Sequence, residues 1–524
     1  MSKRHASLIG SGRSDGSGRS FRGIAAMSGE FLDPDFVSAT PADVERAAHL
    51  AAAAQESFAW TAGSVRGELL RAIAAGIAGA AEAITGRAIL ETALPESRIR
   101  SEIGRTTGQL EMFARLADEG SWVEARIDRA APARRPLPKP DVRSMLRPIG
   151  PVAVFGAGNF PIAFSVAGGD TASALAAGNA VIVKAHPAHP GTSELVGKAV
   201  QAAVRECGLP EGTFALLFDS GYEVGQQLVQ HPAIRAVAFT GSRAGGMALH
   251  RLAGERPDPI PVYAEMGSVN PVFVLPSAAR ERGREIAVGL HGSFTVGVGQ
   301  FCTNPGLVVL KTGDAYEELV GRLRELVGAT PAGTMLTAGL YANFERGVAR
   351  LAGTPGVTRL ARGVAEAKRV AAVLFETTAQ TFLRNQNLAD EIFGPATLIV
   401  RCCDDAEVLA VAESLEGQLT ATIHGTAAEL EGHRPLGLRL AARAGRLIYN
   451  GFPTGVEVGP AMVHGGPFPA TSDGKSSSVG THAIRRFTRL LAYQDYPDRL
   501  LPAELQEANP LGIWRQVDGE FARR

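Results

Sequence analysis

Hydrophobic positions follow a helical period in the first part of the chain. The stretch "TPADVERAAHLAAAA" begins at Thr40, which suits a helix cap, and Pro41 suits the first helical position. Val44, Ala47 and Ala51 then share one face of the predicted helix. Similar patterns continue to about residue 118, so this part is predicted to be mainly helical.

The pattern changes at residue 151, where short apolar runs begin to alternate with helical segments. The runs are "PVAVFG", "AVIVKA", "FALLFD" and "AVAFTG". Such alternation is typical of βαβ units and therefore of a parallel sheet that is covered on both faces. A second α/β section follows, with strands predicted in "NPVFVLP", "LVVLKT" and "TLIVRC". The whole pattern indicates an α/β fold.

Two segments depart from these periods. Residues 126–150 contain several prolines, which exclude a central strand or helix, so we predict an extended arm there. The N-terminal "MSKRHASLIGSGRSDGSGRS" is basic and rich in Ser and Gly, and it lacks the apolar core of a signal peptide. We expect this segment to be a mobile leader.

Composition excludes several classes of function. Lys and Arg total 53, as do Asp and Glu, so no net charge favours nucleic acid or an acidic membrane. The four cysteines show neither a disulfide framework nor metal-binding spacing, and we predict no metal. The most apolar window, "AGGDTASALAAGNAVIV", contains Asp170 and Asn179 and is too polar to span a bilayer. We therefore expect a soluble, cytoplasmic protein that acts on small molecules.

Three residues are candidates for nucleophilic chemistry. Cys302, in "FTVGVGQFCTNPG", would be a nucleophile if its surroundings lower the thiol pKa; otherwise it is a small buried hydrophobe. Asn159, in "VFGAGNFP", could donate to an oxyanion or form a turn, with Pro161 in the first turn of the next helix. Glu265, in "YAEMGSVNP", would have its pKa raised by burial, as suits a general base, or would form a buried ion pair.

A second group of residues suits a ligand that carries phosphate. In "AFTGSRAGG" a predicted strand ends at Thr240, and a helix opens through Gly241, Ser242 and Gly246, whose N–H groups could hold a pyrophosphate. The GxGxxG fingerprint is absent from this sequence region. Lys184, at the end of "VIVKAHP", could reach a ribose or phosphate, or could be a solvated charge.

These motifs together resemble the aldehyde dehydrogenase superfamily, in order and spacing, from about residue 30 to residue 500. Those that carry the resemblance are "GAGNFP", "VIVKAHPAHPGTSELV", "FTGSRAGG", "YAEMGSVNP", "GQFCTNPG" and "DEIFGPA". The resemblance implies a Rossmann-type cofactor domain, an α/β catalytic domain and a small β oligomerisation arm that forms a homodimer or homotetramer. The implied limits are 1–125 and 150–262 for the cofactor domain, 263–480 for the catalytic domain, 126–149 and 481–500 for the arm, and 501–524 for a tail packed on the surface.

The resemblance also implies a mechanism. The Cys302 thiolate would attack an aldehyde, and the Asn159 side chain and the Cys302 N–H would hold the resulting oxyanion. Hydride transfer to the nicotinamide would leave a thioester. Glu265 would then activate the water that hydrolyses this thioester to the carboxylic acid.

The resemblance implies cofactor contacts as well. These are Lys184 at the adenosine ribose, Gly241 and Ser242 at the pyrophosphate, Gly246 for close helix packing, and Glu391 on the nicotinamide ribose with Phe393 beside it. NAD-preferring relatives often have a glutamate where this chain has Pro187, so the repulsion of a 2′-phosphate is missing. Lys184 and Arg243 could neutralise that phosphate, which predicts NADP with NAD also possible.

The substrate is predicted from further stretches. "NGFPTGVEV", "HGGPFPATSDGKSSSVGT" and the C-terminal "YQDYPDRLLPAELQEANPLGIWR" look like the branch that contains 2,5-dioxopentanoate (α-ketoglutaric semialdehyde) dehydrogenases, although Gly158 replaces a common serine. This branch oxidises the semialdehyde to 2-oxoglutarate. The alternatives are an NADP-dependent dehydrogenase of medium or long aliphatic aldehydes, a CoA-acylating enzyme, and an inactive structural homologue. No arginine can be assigned to the substrate carboxylate from the sequence.

Overall fold

A computed structural model describes residues 4–523 of the chain. Its first part contains β1 (Leu8–Ile9), β2 (Gly12–Arg13), β3 (Ser20–Ile24), β4 (Phe31–Val37), α1 (Pro41–Phe58), α2 (Gly63–Gly79), α3 (Ala81–Thr92), α4 (Glu96–Glu119), β5 (Arg126–Asp128) and β6 (Val142–Pro148). The predicted cap of α1 is confirmed, because the Thr40 hydroxyl accepts from the N–H of Asp43 at 3.2 Å. The Asp43 carboxylate in turn accepts from the N–H of Thr40 at 2.8 Å.

The next part alternates strands and helices, as predicted. It contains β7 (Val152–Phe155), α5 (Gly169–Ala177), β8 (Val181–Lys184), α6 (Pro190–Glu206), β9 (Phe214–Leu217), α7 (Glu223–Gln230), β10 (Ala236–Thr240), α8 (Arg243–Gly254) and β11 (Val262–Glu265). The strand order is β11-β10-β7-β8-β9-β1-β2, and β7 to β11 are parallel. Successive residues of β7 point to opposite faces of the sheet. Val152 and Val154 belong to one hydrophobic core, and Ala153 and Phe155 belong to another. The sheet is thus covered on both faces.

The N-terminal segment is ordered from residue 4, so the predicted mobile leader is wrong for the described residues; residues 1–3 lie outside them. β1 pairs antiparallel with β9, with Leu8 opposite Leu216. Leu8 and Ile9 are buried. Two apolar residues suffice here because they extend a preformed sheet and pack into its cores, whereas composition describes only the surrounding Ser and Gly.

A second sheet follows along the chain. It is built from β12 (Val272–Val274), α9 (Pro276–Thr295), β13 (Leu307–Lys311), α10 (Asp314–Gly328), α11 (Ala338–Ala352), β14 (Val357–Arg362), β15 (Val373–Thr378), α12 (Ala379–Arg384), β16 (Ala396–Cys402), α13 (Asp405–Ser414), β17 (Gln418–His424), α14 (Ala427–Gly432), α15 (Arg434–Ala441) and β18 (Ala444–Tyr449). The strand order is β14-β15-β16-β13-β12-β17-β18, in which β14 alone is antiparallel to its neighbour. The three strands predicted in this half are confirmed.

The proline-rich arm forms part of a third sheet with the C-terminal strands β19 (Thr488–Gln494), β20 (Arg515–Val517) and β21 (Glu520–Ala522). Its order is β19-β6-β5-β20-β21, and β6 pairs with β19 over its whole length. The prediction that the prolines exclude a central strand is therefore wrong. Most of the prolines lie in residues 131–140. Residues 142–147 contain no proline, so every N–H group of this stretch can donate to a neighbouring strand. The tail packs on this sheet through buried Leu505 and Ile513.

Within residues 4–523, no single helix is long and apolar enough to cross a membrane. Only α2 and α3 taken together have such a length and composition, and a bend of 69° separates their axes.

Candidate active site

Cys302 follows a tightly wound loop between α9 and β13. Gly297, Val298 and Gly299 all have left-handed backbones, with φ of 58°, 59° and 64°. Glycine adopts this conformation without strain, whereas the branched Val298 does not. A Cβ on Gly299 would lie 2.3 Å from the carbonyl carbon of Gly394. Gly299 therefore allows this loop to approach the chain's own backbone closely.

Side-chain amides fix the position of the loop. The Asn270 amide donates to the carbonyl oxygens of Cys302 at 2.8 Å and Asn304 at 2.9 Å. The Gln300 side chain accepts from the N–H of Leu336 at 2.9 Å. Gln300 thereby anchors the loop to a neighbouring segment. The thiol of Cys302 is consequently held in one place and remains partly accessible.

Three ionisable groups meet at the sulfur. The Sγ of Cys302 lies 3.4 Å from Nε2 of His464, and the same nitrogen lies 3.0 Å from Oε1 of Glu265. The Ser478 hydroxyl donates to Oε2 of Glu265 at 2.6 Å. One ligand atom of each ionisable group lies within 4.8 Å of the others, a set that could also hold a transition metal. The absence of a metal stays a prediction.

The electrostatics of the pair are the reverse of what the sequence suggested. Burial tends to raise the pKa of Glu265, but the His464 ring and the hydrogen bonds from His464, Ser478 and Cys302 outweigh it and lower that pKa. Burial, followed by the Glu265 charge and its hydrogen bond, raises the pKa of Cys302 well above its usual value. The resting state is therefore a thiol beside a carboxylate. The raised pKa expected of Glu265 as a general base is wrong, whereas the alternative of a buried, paired carboxylate fits its 3.0 Å contact with His464; the lowered thiol pKa on which the reactivity of Cys302 was made conditional is not found.

Asn159 lies beside the Cys302 loop. Its amide nitrogen donates one hydrogen to the carbonyl oxygen of Gln300 at 3.0 Å, so its second hydrogen remains available. The N–H of Cys302 makes no hydrogen bond within residues 4–523. These two donors could share one oxyanion. Pro161 does not begin a helix, because residues 158–167 form turns and bends before α5 starts at Gly169.

The His186 ring lies so close to Gly158 that it accounts for a glycine at this position. A Cβ at this position would lie 2.8 Å from Cε1 of His186 and 3.1 Å from the Leu336 side chain. A serine would therefore require the His186 ring to move. The loop before Asn159 keeps its conformation here through glycine and a close histidine contact.

The start of α8 has the features of a phosphate cradle. Ser242 caps the helix and accepts from the N–H of Gly245 at 3.2 Å, and within residues 4–523 the N–H groups of Arg243 and Ala244 make no hydrogen bond. The N–H groups of Gly241 and Gly246 are already occupied, by the carbonyl oxygens of Glu265 at 3.1 Å and Ser242 at 2.9 Å. Gly241 and Ser242 are exposed. A Cβ on Gly246 would lie 2.8 Å from Sδ of Met266. Gly246 thus permits the predicted close packing of α8 on the sheet, and the residues present fit a dinucleotide.

Lys184 and Arg243 flank this cradle differently. The Lys184 ammonium donates to the carbonyl oxygen of Asp219 at 3.4 Å, and burial lowers its pKa. Arg243 is exposed and pairs with Glu416 at 2.8 Å. It would have to leave this partner to reach a 2′-phosphate, so the structure does not bring its charge together with that of Lys184.

Glu391 packs against the segment that follows β11. The residue is exposed, but its carboxylate lies against Gly267, where a Cβ would come within 2.3 Å. This burial of the carboxylate, together with the charge of Glu265, raises its pKa to about 7, although the N–H of Ser268 opposes the shift. Phe393 lies half-buried beside it, as the motif order suggested.

No role for His464 or Ser478 was predicted from the sequence. Both lie in the stretch "HGGPFPATSDGKSSSVG", which indicated a branch of the family but no chemistry. His464 is buried and stands 199 positions from Glu265. The only available signal was a histidine in an apolar, glycine-rich stretch, and that signal does not identify its partner.

Known proteins resemble this chain over most of its length. The aldehyde dehydrogenase family model matches residues 34–490. The chain is 51% identical to alpha-ketoglutaric semialdehyde dehydrogenase 2 of Azospirillum brasilense, covering 98% of both, and 45% identical to alpha-ketoglutaric semialdehyde dehydrogenase of Acinetobacter baylyi, covering 92% of both. A solved 1-pyrroline-5-carboxylate dehydrogenase from Thermus with bound NAD superposes with a TM-score of 0.79 at 22% identity, over 94% of this chain and 93% of that one. The chain belongs to the aldehyde dehydrogenase family.

Proposed function

We propose that this enzyme oxidises α-ketoglutaric semialdehyde to 2-oxoglutarate, with NADP as the preferred cofactor. The substrate assignment is supported chiefly by the two curated relatives, whose names state this semialdehyde and which align with nearly the whole chain. A medium- or long-chain aliphatic aldehyde is not favoured by these relatives. The chemistry is supported by the cluster of Cys302, His464 and Glu265 beside Asn159.

The first chemical step in this proposal is attack by the sulfur. Because the pKa of Cys302 is raised, its proton must leave as the S–C bond forms, and the Glu265 carboxylate is hydrogen-bonded to accept it. His464 acts as a positioning residue, since its Nε2 lies within reach of both the sulfur and the carboxylate. The product of this step is a thiohemiacetal on Cys302.

Asn159 and the Cys302 N–H stabilise the oxyanion that forms in this step. One such donor is typically worth about 3 kcal/mol of barrier. When bound, oxidised NAD(P) supplies the hydride acceptor. The thioester left on Cys302 is then hydrolysed by a water from which Glu265 removes a proton, and the acid departs. The departing Cys302 thiolate then takes up the proton that Glu265 removed from the water, which restores the thiol.

The cofactor is held by groups from both sheets. Ser242 and the free amides of Arg243 and Ala244 would hold the pyrophosphate beside Gly241, with Gly246 setting how closely the helix approaches β11. Lys184 binds the adenosine ribose, and Glu391, with Phe393 beside it, binds the nicotinamide ribose.

NADP is preferred because Pro187 places no carboxylate against a 2′-phosphate. Lys184 supplies positive charge there, while Arg243 contributes only if it exchanges Glu416 for the phosphate.

The assembly proposed is a homodimer or homotetramer in the cytoplasm. We assign 1–125 and 150–262 to the cofactor domain, 263–480 to the catalytic domain, 126–149 and 481–500 to the oligomerisation arm, and 501–524 to the tail. β19 is an edge strand whose Leu490 is 70% exposed, and an exposed apolar edge is suited to a second copy. The four cysteines are free, which suits a reducing compartment.

A steady-state panel tests the proposal. The purified enzyme is supplied with α-ketoglutaric semialdehyde, pentanal and decanal, each with NAD and NADP, and the product is identified as acid or acyl-CoA in the presence of coenzyme A. We expect the highest kcat/KM for the semialdehyde with NADP, and the free acid as product. A higher value for decanal, or accumulation of acyl-CoA, would replace the proposed function with one of its alternatives. Cys302→Ala is expected to abolish turnover while leaving cofactor binding intact.

A further inference from the structure

Arg105 is a largely buried cation whose hydrogen bonds are incomplete. One terminal nitrogen, Nη1, donates to the carbonyl oxygen of Val456. The atoms Nε and Nη2 are shielded from solvent and have no hydrogen-bond partner within residues 4–523. Burial lowers the pKa of Arg105, which the charges of Glu102 and Glu457 only partly oppose. Buried donors without an acceptor are costly, so this pair indicates an acceptor that binds there.

The two free atoms form one edge of the guanidinium. Their N–H bonds run parallel on the side away from Cδ, and this edge matches the two oxygens of a carboxylate. Glu102 does not occupy it, because Oε1 of Glu102 accepts from the N–H groups of Ile162 and Ala163 at 2.9 Å each. Its Oε2 accepts from Arg98 at 3.3 Å. The edge is therefore free for a ligand carboxylate.

Arg105 lies between the outside and the reacting sulfur. It borders a groove of about 840 Å³ between α4 and the loop at Val456. Its guanidinium carbon stands 5.3 Å from the centre of the Phe164 ring, and that ring stands 6.2 Å from the His464 ring. His464 contacts Cys302, so one aromatic ring separates Arg105 from the catalytic cluster.

Two other arginines near the site lack such an edge. Arg446 uses both terminal nitrogens on the carbonyl oxygens of Pro453 and Gly455, and only its Nε has no partner within the described residues. Arg98 pairs with Glu102 and stacks on Phe160 at 4.3 Å. Neither arginine therefore has two adjacent N–H groups free to bind a ligand carboxylate.

We propose that the Nε and Nη2 edge of Arg105 binds the substrate carboxylate and thereby selects short aldehydes that end in an acid. This inference rests on the proposed function, because it names the residue that distinguishes a semialdehyde from an aliphatic aldehyde of equal length. Four C–C bonds separate the two ends of the five-carbon substrate, a span of about 5 Å. This short span requires Arg105 to lie close to Cys302, and the two groups are near enough for each to shift the pKa of the other.

Arg105 has a second effect that a test must separate from binding. Its charge lowers the pKa of Cys302 and partly offsets the effects of burial and Glu265. Loss of Arg105 would therefore make the thiol less reactive toward every aldehyde. Only a change in the ratio between a charged and an uncharged aldehyde reports on the carboxylate.

The experiment measures kcat/KM for α-ketoglutaric semialdehyde and for pentanal, which has the same number of carbons and no carboxylate. The variants are Arg105→Met, Arg105→Lys and Arg115→Met. Arg115 is an exposed arginine of the same helix that also borders the groove, so it controls for the general positive field. Inhibition of pentanal oxidation by 2-oxoglutarate is measured in each protein, and cofactor titration verifies that each is folded.

The expected result is a fall of about 100-fold in the ratio of kcat/KM for the semialdehyde to that for pentanal in Arg105→Met, mostly through KM. Arg105→Lys should lose about tenfold because a point charge replaces a fork. Arg115→Met should change the ratio less than about threefold. The inhibition constant of 2-oxoglutarate should rise with Arg105→Met by a factor similar to the ratio.

Parallel losses for both aldehydes, an unchanged ratio, or an equal fall in Arg115→Met would overturn the role of Arg105. If the wild-type enzyme does not prefer the semialdehyde to pentanal, the proposed function fails instead. The inhibition constant then decides the inference alone: an unchanged constant in Arg105→Met refutes it, and a raised constant supports it.

Discussion

Replacing Glu265 by Gln tests the proposed base without changing the size of its side chain. The carboxylate is 3% exposed, and each oxygen has a donor, from His464 at 3.0 Å and Ser478 at 2.6 Å. Gln keeps an acceptor for His464, so the packing of the site should survive. What the substitution removes is a negative charge and a proton acceptor.

The expected loss follows from the role of the base. A general base contributes a factor of about 100 to 10,000, or about 3 to 5 kcal/mol of barrier. Glu391 is a second carboxylate whose charge acts on Cys302, and its pKa is about 7. It could replace part of the function, so we expect thioester hydrolysis to slow by about 100- to 1,000-fold.

Rapid mixing with aldehyde and oxidised cofactor measures this change. The variant also loses the proton acceptor for sulfur attack, but removal of the Glu265 charge lowers the pKa of Cys302, so hydride transfer should slow less than hydrolysis. A burst of reduced cofactor, of at most one equivalent per active site, should therefore precede a slower steady state. Ser478→Ala is the matched control, because it removes a hydrogen bond from the same carboxylate and keeps the charge. It should show at most a tenfold slower steady state.

Alkylation of Cys302 by iodoacetamide adds a second readout with the opposite sign. The Glu265 charge raises the pKa of Cys302, so removing that charge should lower this pKa and speed alkylation at pH 7. An unchanged steady-state rate would exclude Glu265 as the base in hydrolysis. Slower alkylation would show that its charge does not suppress the thiolate, and the electrostatic reasoning would be wrong.

Three further predictions concern the oxyanion donor and the cofactor. Asn159→Ala should lower kcat/KM by about 100- to 1,000-fold in steady-state assays while cofactor affinity, measured by fluorescence titration, stays the same. Pro187→Glu should lower the ratio of kcat/KM for NADP to that for NAD at least tenfold. An unchanged ratio would show that residue 187 does not determine cofactor preference. Because the pKa of Glu391 is about 7, its carboxylate is protonated below this pH and loses an acceptor for ribose hydroxyls, so cofactor affinity should fall between pH 8 and pH 6. Glu391→Gln should bind with an affinity that hardly changes over this range.

Much of the fold could be predicted because its signals are local. Each strand of the cofactor-side parallel sheet is an apolar run of four or five residues, and Glu265 and Thr240 end neighbouring strands in register. The position of Cys302 in a loop of left-handed residues follows from its glycines. The N-terminal strand could not be predicted, because β1 has only two residues and depends on β9, which lies more than 200 positions away.

The chemistry of the site was less accessible, because pKa values depend on neighbours rather than on motifs. Burial of Glu265 was predicted correctly, but burial alone would raise its pKa, and the observed lowering comes from His464. The same carboxylate then helps to raise the pKa of the Cys302 thiol, whose reactivity had been made conditional on a lowered pKa. Neither direction could be obtained without knowing that residue 464 lies between positions 265 and 302.

These opposed shifts have a consequence for the order of proton movements. A resting thiol and a charged carboxylate mean that sulfur attack and proton transfer to Glu265 must occur together, so the base is protonated after the first step. It must lose this proton before it can activate water, yet it is almost fully buried. The neighbouring His464 Nε2 and the Ser478 hydroxyl are its hydrogen-bonded contacts, but Nδ1 of His464 has no partner within the described residues that would carry a proton onward. With no onward partner for His464 among the described residues, we expect Glu265 to pass this proton directly to a water that enters beside the thioester.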